Sequence, residues 1–465
     1  MGPVDLLVIG GGTAGLVGAR TAAQLGASVL LVERERTGGD CLWTGCVPSK
    51  ALLAAASAAA GARSAARLGV HVDGVRVDVA GVMAHVKGAM ATIAPVDSPA
   101  TLAKAGVVVR TGSARFTGPD AVEIDGERVP FRHALIATGS DPAVPPVPGL
   151  EGALTSDTVW DLTELPGRLT VLGGGSIGCE LGQAFARLGC TVTLVEMADR
   201  LLPNEDAGAA ALVAGALRAD GGDVRTGARV ESADGGSVVL AGGERVEGDA
   251  VLVALGRSPD TSGLDPAAAG VRLTERGHVE VDASLRTTNP RVHAAGDVTG
   301  HPQFTHVAGV HGALAASNAV LGLRRRVDLR AVPRVTYTSP EVAAVGAPDG
   351  PVVRVHDNAD VDRAVADGGT AGFTRLVLDR RGRLVGATVV GPRAGEVLAE
   401  LTLAVRKGLP ATVVAGTIHP YPTYGDAPWN AALAETRARL SRRSLSPVLA
   451  LLRRHARSRS GARAL

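Results

Sequence analysis

The stretch DLLVIGGGTAGLVGARTAAQLGASVLLVE, residues 5–33, decides the fold of this chain. Residues 5–9 are mostly apolar and predict a buried strand, residues 10–15 predict a glycine turn, and residues 16–25 predict a helix. A second apolar strand, residues 28–33, ends in an acid. A strand, a tight turn, a helix and a second strand make a βαβ unit, so the sequence predicts a Rossmann-like α/β domain.

The same order of elements returns in the middle of the chain. Residues 169–172 predict a strand, residues 173–178 a glycine turn, residues 179–188 a helix and residues 191–196 a strand that again ends in an acid. The chain is therefore predicted to bind two dinucleotides.

The first glycine turn has the spacing of a dinucleotide-binding site. Gly10, Gly12 and Gly15 let the backbone turn sharply and approach a pyrophosphate, whose charge is met by the start of the following helix. Glu33 stands where a carboxylate accepts hydrogen bonds from a ribose diol.

The second turn follows the same logic with Gly173, Gly175, Gly178 and Glu196. A carboxylate at the end of the second strand favours a free 2′-hydroxyl and repels a 2′-phosphate, although the nearby Arg200 softens that repulsion. We therefore predict NADH as the preferred cofactor and leave NADPH open.

Composition supports a soluble, multidomain enzyme. A chain of 465 residues, 46% hydrophobic and with 61 glycines, suits several α/β domains and excludes a disulfide scaffold or a disordered chain. The net charge is +2, and we predict no nucleic-acid partner. The first strand begins almost at Met1, and we expect neither a signal peptide nor an apolar run long enough for a membrane span, so a cytoplasmic location is predicted.

Two of the four cysteines lie close together in the run GGDCLWTGCVPSK, residues 38–50. In the cytoplasm free thiols are kept reduced, so we interpret Cys41 and Cys46 as a catalytic redox pair. Cys179 and Cys190 are expected to be small buried apolar residues. We predict no metal site.

Two dinucleotide sites and a dithiol imply a relay, in which hydride enters at one site and electrons leave through sulfur. A flavin connects the two because it accepts two electrons from a nicotinamide and passes them to a disulfide.

These motifs together resemble the class I pyridine nucleotide-disulfide oxidoreductases, which include dihydrolipoyl dehydrogenase, glutathione reductase and mercuric reductase. The resemblance covers roughly residues 4–435, and its most specific part is the GGxCx4CVPSK block. It implies FAD and NAD(P)H as cofactors and a homodimer. It also implies an α/β fold of two Rossmann-like domains, one for FAD and one for NAD, with a C-terminal α+β dimerisation domain.

The expected boundaries follow the patterning of the chain. Residues 1–147 are expected to form the first part of the FAD domain, residues 148–270 the NAD domain and residues 271–330 the second part of the FAD domain. Residues 331–440, with alternating strands and then a helix, form the expected dimerisation domain. The basic tail, residues 441–465, is interpreted as a frayed, solvated terminus rather than a helix on an anionic membrane.

Other roles are implied by the resemblance alone. The first glycine turn and Glu33 hold the ADP half of FAD, the second turn and Glu196 hold NAD(P)H, and further cofactor contacts come from Thr138, Gly139, Gly256, Gly296 and Asp297. Asp297 is expected on the ribityl chain of FAD, and Gly256 in the motif that closes the NAD domain.

The resemblance also assigns the electron path. Lys50 and Glu180 match the family's charge pair beside the flavin, and a buried lysine needs such a carboxylate partner. Cys41 is the thiol that faces the substrate, and Cys46 is the thiol that contacts the flavin. Because Cys46 stands at a helix start, the helix dipole is expected to lower its thiol pKa.

The segment IHPYPTYGD, residues 418–426, departs from the family's interface motif His-x-His-Pro-Thr-x-x-Glu. The position of the acid-base histidine is Tyr421, and that of the orienting glutamate is Asp426. A tyrosine is a poor base at neutral pH. His419, two residues earlier, is interpreted as a structural interface residue, with a substitute role in proton transfer as the alternative.

The predicted activity is therefore NAD(P)H oxidation through FAD and the cysteine pair, with a disulfide, a metal–thiolate complex or a quinone as the small-molecule acceptor. Mercuric reductase resembles the chain best at Tyr421, but we expect neither that enzyme's N-terminal metal-gathering domain nor its C-terminal cysteine pair here. A peripheral NADH:quinone reductase and a flavin redox sensor of low turnover remain alternatives. Cell redox homeostasis is the expected process.

Overall fold

The computed structural model describes residues 2–441 and 446–461. Its strands, in chain order, are β1 (Val4–Ile9), β2 (Val29–Glu33), β3 (Val107–Thr111), β4 (Ala114–Gly118), β5 (Ala121–Ile124), β6 (Glu127–Ile136), β7 (Ser140–Pro142), β8 (Leu154–Thr155), β9 (Arg168–Leu172), β10 (Thr191–Val195), β11 (Asp223–Arg225), β12 (Val230–Asp234), β13 (Ser237–Leu240), β14 (Arg245–Val246), β15 (Ala250–Val253), β16 (Arg257–Pro259), β17 (Val292–Ala294), β18 (Arg334–Thr336), β19 (Glu341–Gly346), β20 (Val352–Asp357), β21 (Phe373–Leu378) and β22 (Leu384–Gly391). Its helices are α1 (Thr13–Gln24), α2 (Gly39–Trp43), α3 (Cys46–Ser64), α4 (Val79–Ile93), α5 (Pro99–Lys104), α6 (Ser176–Leu188), α7 (Ala207–Ala219), α8 (Thr305–Leu321), α9 (Asp362–Asp367), α10 (Ala394–Lys407), α11 (Ala411–Gly416), α12 (Asp426–Leu440) and α13 (Ser446–Gly461).

The chain divides into two compact units. The first consists of Met1–Pro203 and Leu217–Leu329, and the second of Asn204–Ala216 and Arg330–Leu465. Both predicted βαβ units fall in the first unit. The finer division of that unit into FAD and NAD domains stays a prediction.

The first predicted βαβ unit forms the centre of a parallel sheet with the order β3-β2-β1-β6-β17. Leu7 pairs with Leu30 and with Ala134, and Leu7 and Ala134 are both fully buried. The central strands β1 and β2 are mostly apolar and buried because both faces of a parallel sheet are covered. On one face α1 and α8 approach each other closely, since a Cβ on Gly312 would stand 2.1 Å from the carbonyl oxygen of Ala14.

The second βαβ unit builds a sheet of the same kind, with the order β11-β10-β9-β15-β8 and all strands parallel. The predicted repeat is therefore present in three dimensions.

Both helices that follow the glycine turns begin three residues earlier than predicted. The expected starts were residues 16 and 179, whereas α1 begins at Thr13 and α6 at Ser176. Gly12 and Gly175 are the N-caps, and neither provides a capping side chain. The first backbone N–H groups of each helix are thus left for a ligand to satisfy.

The second unit has a five-stranded antiparallel sheet with the order β18-β19-β22-β21-β20. Its core includes Ala343, Leu376, Leu398 and Leu401, the last two from α10. This is the α+β arrangement that the sequence predicted for residues 331–440.

Two findings bear on membrane contact. Contrary to expectation, the helical stretch Val79–Lys104 is long and apolar enough by length and composition to span a membrane, although a 3-10 turn at Ala94–Asp97 interrupts it. The tail, expected to be frayed, contains α13 within its described part, with Val448, Leu451 and Leu452 exposed. Membrane contact by the tail remains untested, and residues 442–445 and 462–465 lie outside the described residues.

Candidate functional site

The first glycine turn is shaped by close backbone approaches. Gly10 has a φ of +103°, and a Cβ there would stand 2.3 Å from the carbonyl oxygen of Ala137. A Cβ on Gly15 would stand 1.9 Å from the carbonyl oxygen of Gly10. The Glu33 carboxylate accepts hydrogen bonds from the backbone N–H groups of Gly11 at 2.6 Å and Glu35 at 2.8 Å.

The second turn repeats this geometry. Gly173 has a φ of +110°, and a Cβ on Gly178 would stand 1.9 Å from the carbonyl oxygen of Gly173. The Glu196 carboxylate accepts hydrogen bonds from the N–H groups of Gly174 at 2.6 Å and Ala198 at 2.7 Å.

Both turns fit the pyrophosphate of a dinucleotide, since each leads into a helix start that has no side-chain cap. Glu33 and Glu196 brace these turns, which the sequence did not predict. Each carboxylate has about four lone-pair sites, so two backbone hydrogen bonds leave capacity for a ribose diol.

The other predicted cofactor residues lie at loops in the first unit. The hydroxyl of Thr138 donates to the carbonyl oxygen of Asp260 at 2.6 Å, and Gly139 has a φ of +78°. Gly256, with a φ of +119°, directly precedes β16. These turns require backbone conformations that glycine adopts without strain.

The remaining predicted FAD segment directly follows strand β17. Gly296 has a φ of +79°, and Asp297 begins a short 3-10 turn. The Asp297 carboxylate accepts from the buried hydroxyl of Ser140 at 2.9 Å, and burial is the main cause of its raised pKa.

The predicted redox pair spans a short loop. Cys41 lies in α2, Cys46 is the first residue of α3, and both are free thiols whose side chains share a hydrogen bond. Cys179 and Cys190 are buried, 0% and 6% exposed, which confirms the prediction for them.

Side-chain contacts lower the pKa of Cys46. The hydrogen bond from Cys41 is the main cause that lowers the Cys46 pKa to about 6, and the hydroxyl of Thr305, 3.3 Å from Sγ, and the charge of Lys50 act in the same direction. Burial and the charge of Glu180 oppose them. The pKa of Cys41 is raised because Cys41 donates to its partner and is itself partly buried. At neutral pH the pair therefore carries one thiolate, on Cys46.

Lys50 and Glu180 meet as the resemblance implied. The Lys50 ammonium lies 2.8 Å from Oε2 of Glu180, and their side chains are 40% and 7% exposed. The pair joins α3, which begins at Cys46, to α6, which follows the second glycine turn. One ion pair thus connects the thiol helix to the second dinucleotide site.

In the second unit, Tyr421 is a hydrogen-bond donor. Its hydroxyl donates to the carboxylate of Asp362, the first residue of α9, and this bond raises the tyrosine pKa above its ordinary value. The side chain is exposed. Tyr421 therefore keeps its proton at neutral pH and offers no base.

His419 is engaged on both ring nitrogens. Nδ1 lies 3.0 Å from the carbonyl oxygen of Thr417, and Nε2 lies 2.8 Å from Oε2 of Glu400. Burial lowers the histidine pKa, but these two acceptors outweigh burial and raise it overall. Two acceptors stabilise the imidazolium, which suits a structural role. Asp426 begins α12 and accepts from the N–H of Thr423 at 3.3 Å.

Three residues near the cysteines were missed as site residues. Thr305 contacts the Cys46 sulfur, and Arg257 forms an ion pair with Asp40, the residue before Cys41. No local pattern pairs Arg257 with Asp40, because the two residues lie 217 positions apart in the sequence.

Comparisons with known proteins agree along the chain. The model of a family described as pyridine nucleotide-disulphide oxidoreductase matches residues 4–312, and that of its dimerisation domain matches residues 332–432. The mercuric reductase of Streptomyces lividans is 38% identical over 447 residues, covering 91% of this chain and 94% of that protein. The dihydrolipoyl dehydrogenase of Thermus scotoductus is 39% identical over 461 residues, covering 92% and 97%.

Solved structures are similar along nearly the same length. LpdA from Mycobacterium tuberculosis has a TM-score of 0.84 and 29% identity, covering 92% of this chain and 99% of that chain. The Cu(II) complex of the HOCl-induced flavoprotein disulfide reductase RclA from Escherichia coli has a TM-score of 0.83 and 27% identity, covering 93% and 100%.

Proposed function

This chain belongs to the pyridine nucleotide-disulfide oxidoreductase family, and we propose that within this family it reduces a soft metal ion bound through thiolates. It is an FAD-dependent enzyme that uses NAD(P)H. When bound, FAD supplies the link between nicotinamide and sulfur, because it exchanges two electrons with each. The metal acceptor is the proposed part.

The observation that carries this proposal is the hydrogen bond from Tyr421 to Asp362, at the position where the resemblance expects a histidine. Reducing a disulfide consumes two electrons and two protons, so an acid-base group accelerates it. Reducing a metal ion held by two thiolates consumes electrons alone and releases the thiolates. A tyrosine that keeps its proton serves the second reaction better than the first.

The cysteine pair has the chemistry that such an acceptor needs. The Cys46 thiol, with a pKa of about 6, is a thiolate at neutral pH, and Cys41 supplies a second sulfur within hydrogen-bond reach. Soft metal ions prefer thiolate ligands, and binding displaces the remaining proton. Within residues 2–441 and 446–461 no cluster of three or more histidines, cysteines and carboxylates is placed to hold a metal ion. The metal would therefore be a transient substrate on two sulfurs.

Similar proteins support this choice of acceptor. The Streptomyces lividans protein is named a mercuric reductase, and RclA was solved with Cu(II). The Thermus scotoductus relative, a dihydrolipoyl dehydrogenase, favours a disulfide acceptor instead. The dimerisation domain at residues 332–432 supports a homodimer as the working form.

Steady-state oxidation of NADH against a panel of acceptors tests the proposal. We expect kcat/KM for Hg(II) with excess thiol, or for Cu(II), to exceed that for lipoamide and oxidised glutathione by about a hundredfold. Loss of a general acid-base group typically slows a reaction by about this factor, and only disulfide reduction needs such a group. One NADH reduces one Hg(II) to the metal or two Cu(II) to Cu(I). Faster turnover of a disulfide than of either metal would refute the metal assignment, and a quinone as the best acceptor would refute it equally.

The matched variants are Tyr421→His and Tyr421→Phe. The histidine restores a group that titrates near neutrality, so disulfide reduction is expected to rise by about tenfold or more while metal reduction stays within about threefold of wild type. The phenylalanine removes the donor and is expected to leave metal reduction within about threefold of wild type and disulfide reduction as low as in wild type. Loss of metal reduction in Tyr421→Phe would show that the phenol itself takes part.

Cofactor preference is predicted from Glu196. Replacing it with serine removes the carboxylate that repels a 2′-phosphate and that braces the second turn. We expect the NADPH/NADH ratio of kcat/KM to rise by about tenfold, or about 1.4 kcal/mol. The control is Glu231→Ser, an exposed glutamate paired with Arg229. An unchanged ratio in Glu196→Ser would remove the basis for predicting NADH.

A further inference from the structure

Side chains from distant parts of the chain form hydrogen bonds with both ends of the loop between Cys41 and Cys46. At its start, the carboxylate of Asp40 accepts a hydrogen bond from Nη2 of Arg257. Near its end, the carbonyl oxygen of Thr44 accepts from the indole N–H of Trp160 at 2.9 Å. Both donors come from segments more than a hundred residues away.

The two donors are linked to each other through Ser156. The indole N–H of Trp160 also reaches the carbonyl oxygen of Ser156 at 2.7 Å, and Nη1 of Arg257 donates to the Ser156 hydroxyl at 3.4 Å. We call Arg257, Ser156 and Trp160 the loop clasp. Together with Asp40 and Thr44 they close a ring of hydrogen bonds around the loop.

Further contacts hold Arg257 in place, and both Arg257 and Trp160 are largely buried. Arg257 lies in β16, paired with β7, and its Nε donates to the Ser140 hydroxyl at 2.8 Å. Ser140 in turn donates to Asp297. The side chain of Arg257 is only 14% exposed, and Trp160 is 5% exposed. A guanidinium whose donors are fixed in this way holds a carboxylate in one orientation.

We propose that Arg257 is a positioning residue, which together with Trp160 keeps the Cys41–Cys46 loop closed and so sets the equilibrium between dithiol and disulfide. The inference rests on the proposed redox role of the two cysteines. A loop held closed keeps the thiols at high effective concentration, which favours the S–S bond between the two Sγ atoms. When that bond forms, the proton left on Cys41 is released and two electrons pass to an external disulfide such as oxidised glutathione, which takes up that proton and one from solvent and becomes two thiols.

The test equilibrates the FAD-loaded enzyme with glutathione buffers of known composition and counts alkylated thiols by mass spectrometry. Arg257→Met is expected to lower the equilibrium constant for the Cys41–Cys46 disulfide by about tenfold, which makes its potential about 30 mV less negative. Trp160→Phe, which loses only the hydrogen bonds, is expected to change the constant in the same direction by a smaller factor. An unchanged constant in a folded Arg257→Met enzyme overturns the inference.

Three further variants separate positioning from general destabilisation. Arg257→Lys keeps the charge without the fork and should recover part of the wild-type constant. Arg168→Met is the matched control, because it removes an arginine from an exposed ion pair with Asp249. It should leave the equilibrium constant for the disulfide unchanged. Asp40→Asn combined with Arg257→Met should cost less than the sum of the single changes, because the two residues act on each other.

The same measurement distinguishes this inference from the proposed function. If Cys41 and Cys46 of the wild-type enzyme form no disulfide in any buffer, the redox role itself fails. If they do form one and the clasp variants match wild type, only the positioning role fails.

Discussion

A Cys41→Ser enzyme is expected to lose metal-ion reduction by on the order of 10³-fold or more, because residues that act as one catalytic unit fail together. The sulfur of Cys46 remains, but a two-electron acceptor on sulfur needs both cysteines. NADH oxidation with an artificial dye acceptor is expected to persist within about threefold, since the dye takes electrons before they reach sulfur. The measurement is Hg(II)-dependent and dye-dependent NADH oxidation in the same preparation.

Cys190→Ala is the matched control for this variant. Cys190 is buried, and burial raises its pKa to about 11, so it does not form a thiolate at neutral pH. Its removal should leave both activities intact. Retained metal reduction in Cys41→Ser would mean that the electrons leave directly from the flavin. Cys41→Ser could also keep quinone reduction while it loses metal reduction. This result would indicate a quinone reductase only if the wild-type enzyme also reduced quinone faster than metal ions.

The second large effect concerns His311 and stability in acid. His311 lies in α8 and is 0% exposed, and neither ring nitrogen has a hydrogen-bond partner among the described residues. Burial is the main cause that lowers its pKa from 6.5 to about 4, and the charge of His301, whose ring centroid lies 5.1 Å away, acts in the same direction.

The sign of the effect follows from proton uptake. Above pH 6.5 the histidine is neutral in both the folded and the unfolded chain, so it contributes no pH dependence. Between pH 6.5 and about 4 the unfolded chain binds a proton that the folded chain excludes. The free energy of unfolding therefore falls over this window, by roughly 3 kcal/mol in all at about 1.4 kcal/mol per pKa unit.

In a His311→Leu enzyme, the free energy of unfolding is expected not to show this fall in acid. Apparent unfolding midpoints in urea, measured at fixed protein and FAD concentration between about pH 8 and about pH 4, should converge at high pH and separate in favour of the variant in acid. His71→Gln, at an exposed site, is the control and should follow wild type. Parallel pH profiles for wild type and His311→Leu would show that the buried imidazole is not what makes the fold acid-sensitive.

Much of the fold could be predicted because its signals are local. A strand, a glycine turn and a helix are each encoded within about ten residues, and the two copies in the chain confirmed each other. The helix starts were predicted three residues too late, because in the sequence a glycine N-cap cannot be told from the rest of the glycine turn. The helix α13 was not expected, since an arginine-rich terminus carries no burial signal.

The candidate site was predictable to the extent that it follows motifs. Cys41, Cys46 and Lys50 share one block, and Glu180 stands beside the second glycine turn, where its carboxylate lies 2.8 Å from the Lys50 ammonium. The cause of the low Cys46 pKa was not predictable, because Thr305 is distant in the chain and the Cys41 hydrogen bond depends on loop geometry. The partners of Tyr421 and His419, Asp362 and Glu400, were likewise invisible in sequence.

By itself the sequence determined the class of this protein. Two glycine fingerprints with terminal acids, a spaced cysteine pair and a tyrosine in place of a histidine are matters of residue type and short spacing, and each carries its chemistry wherever it folds. Tertiary structure alone decided how those groups are tuned. Arg257 forms an ion pair with Asp40, Thr305 contacts the sulfur of Cys46, and His311 is fully buried. Folding brings these residues together, and no local sequence pattern connects them.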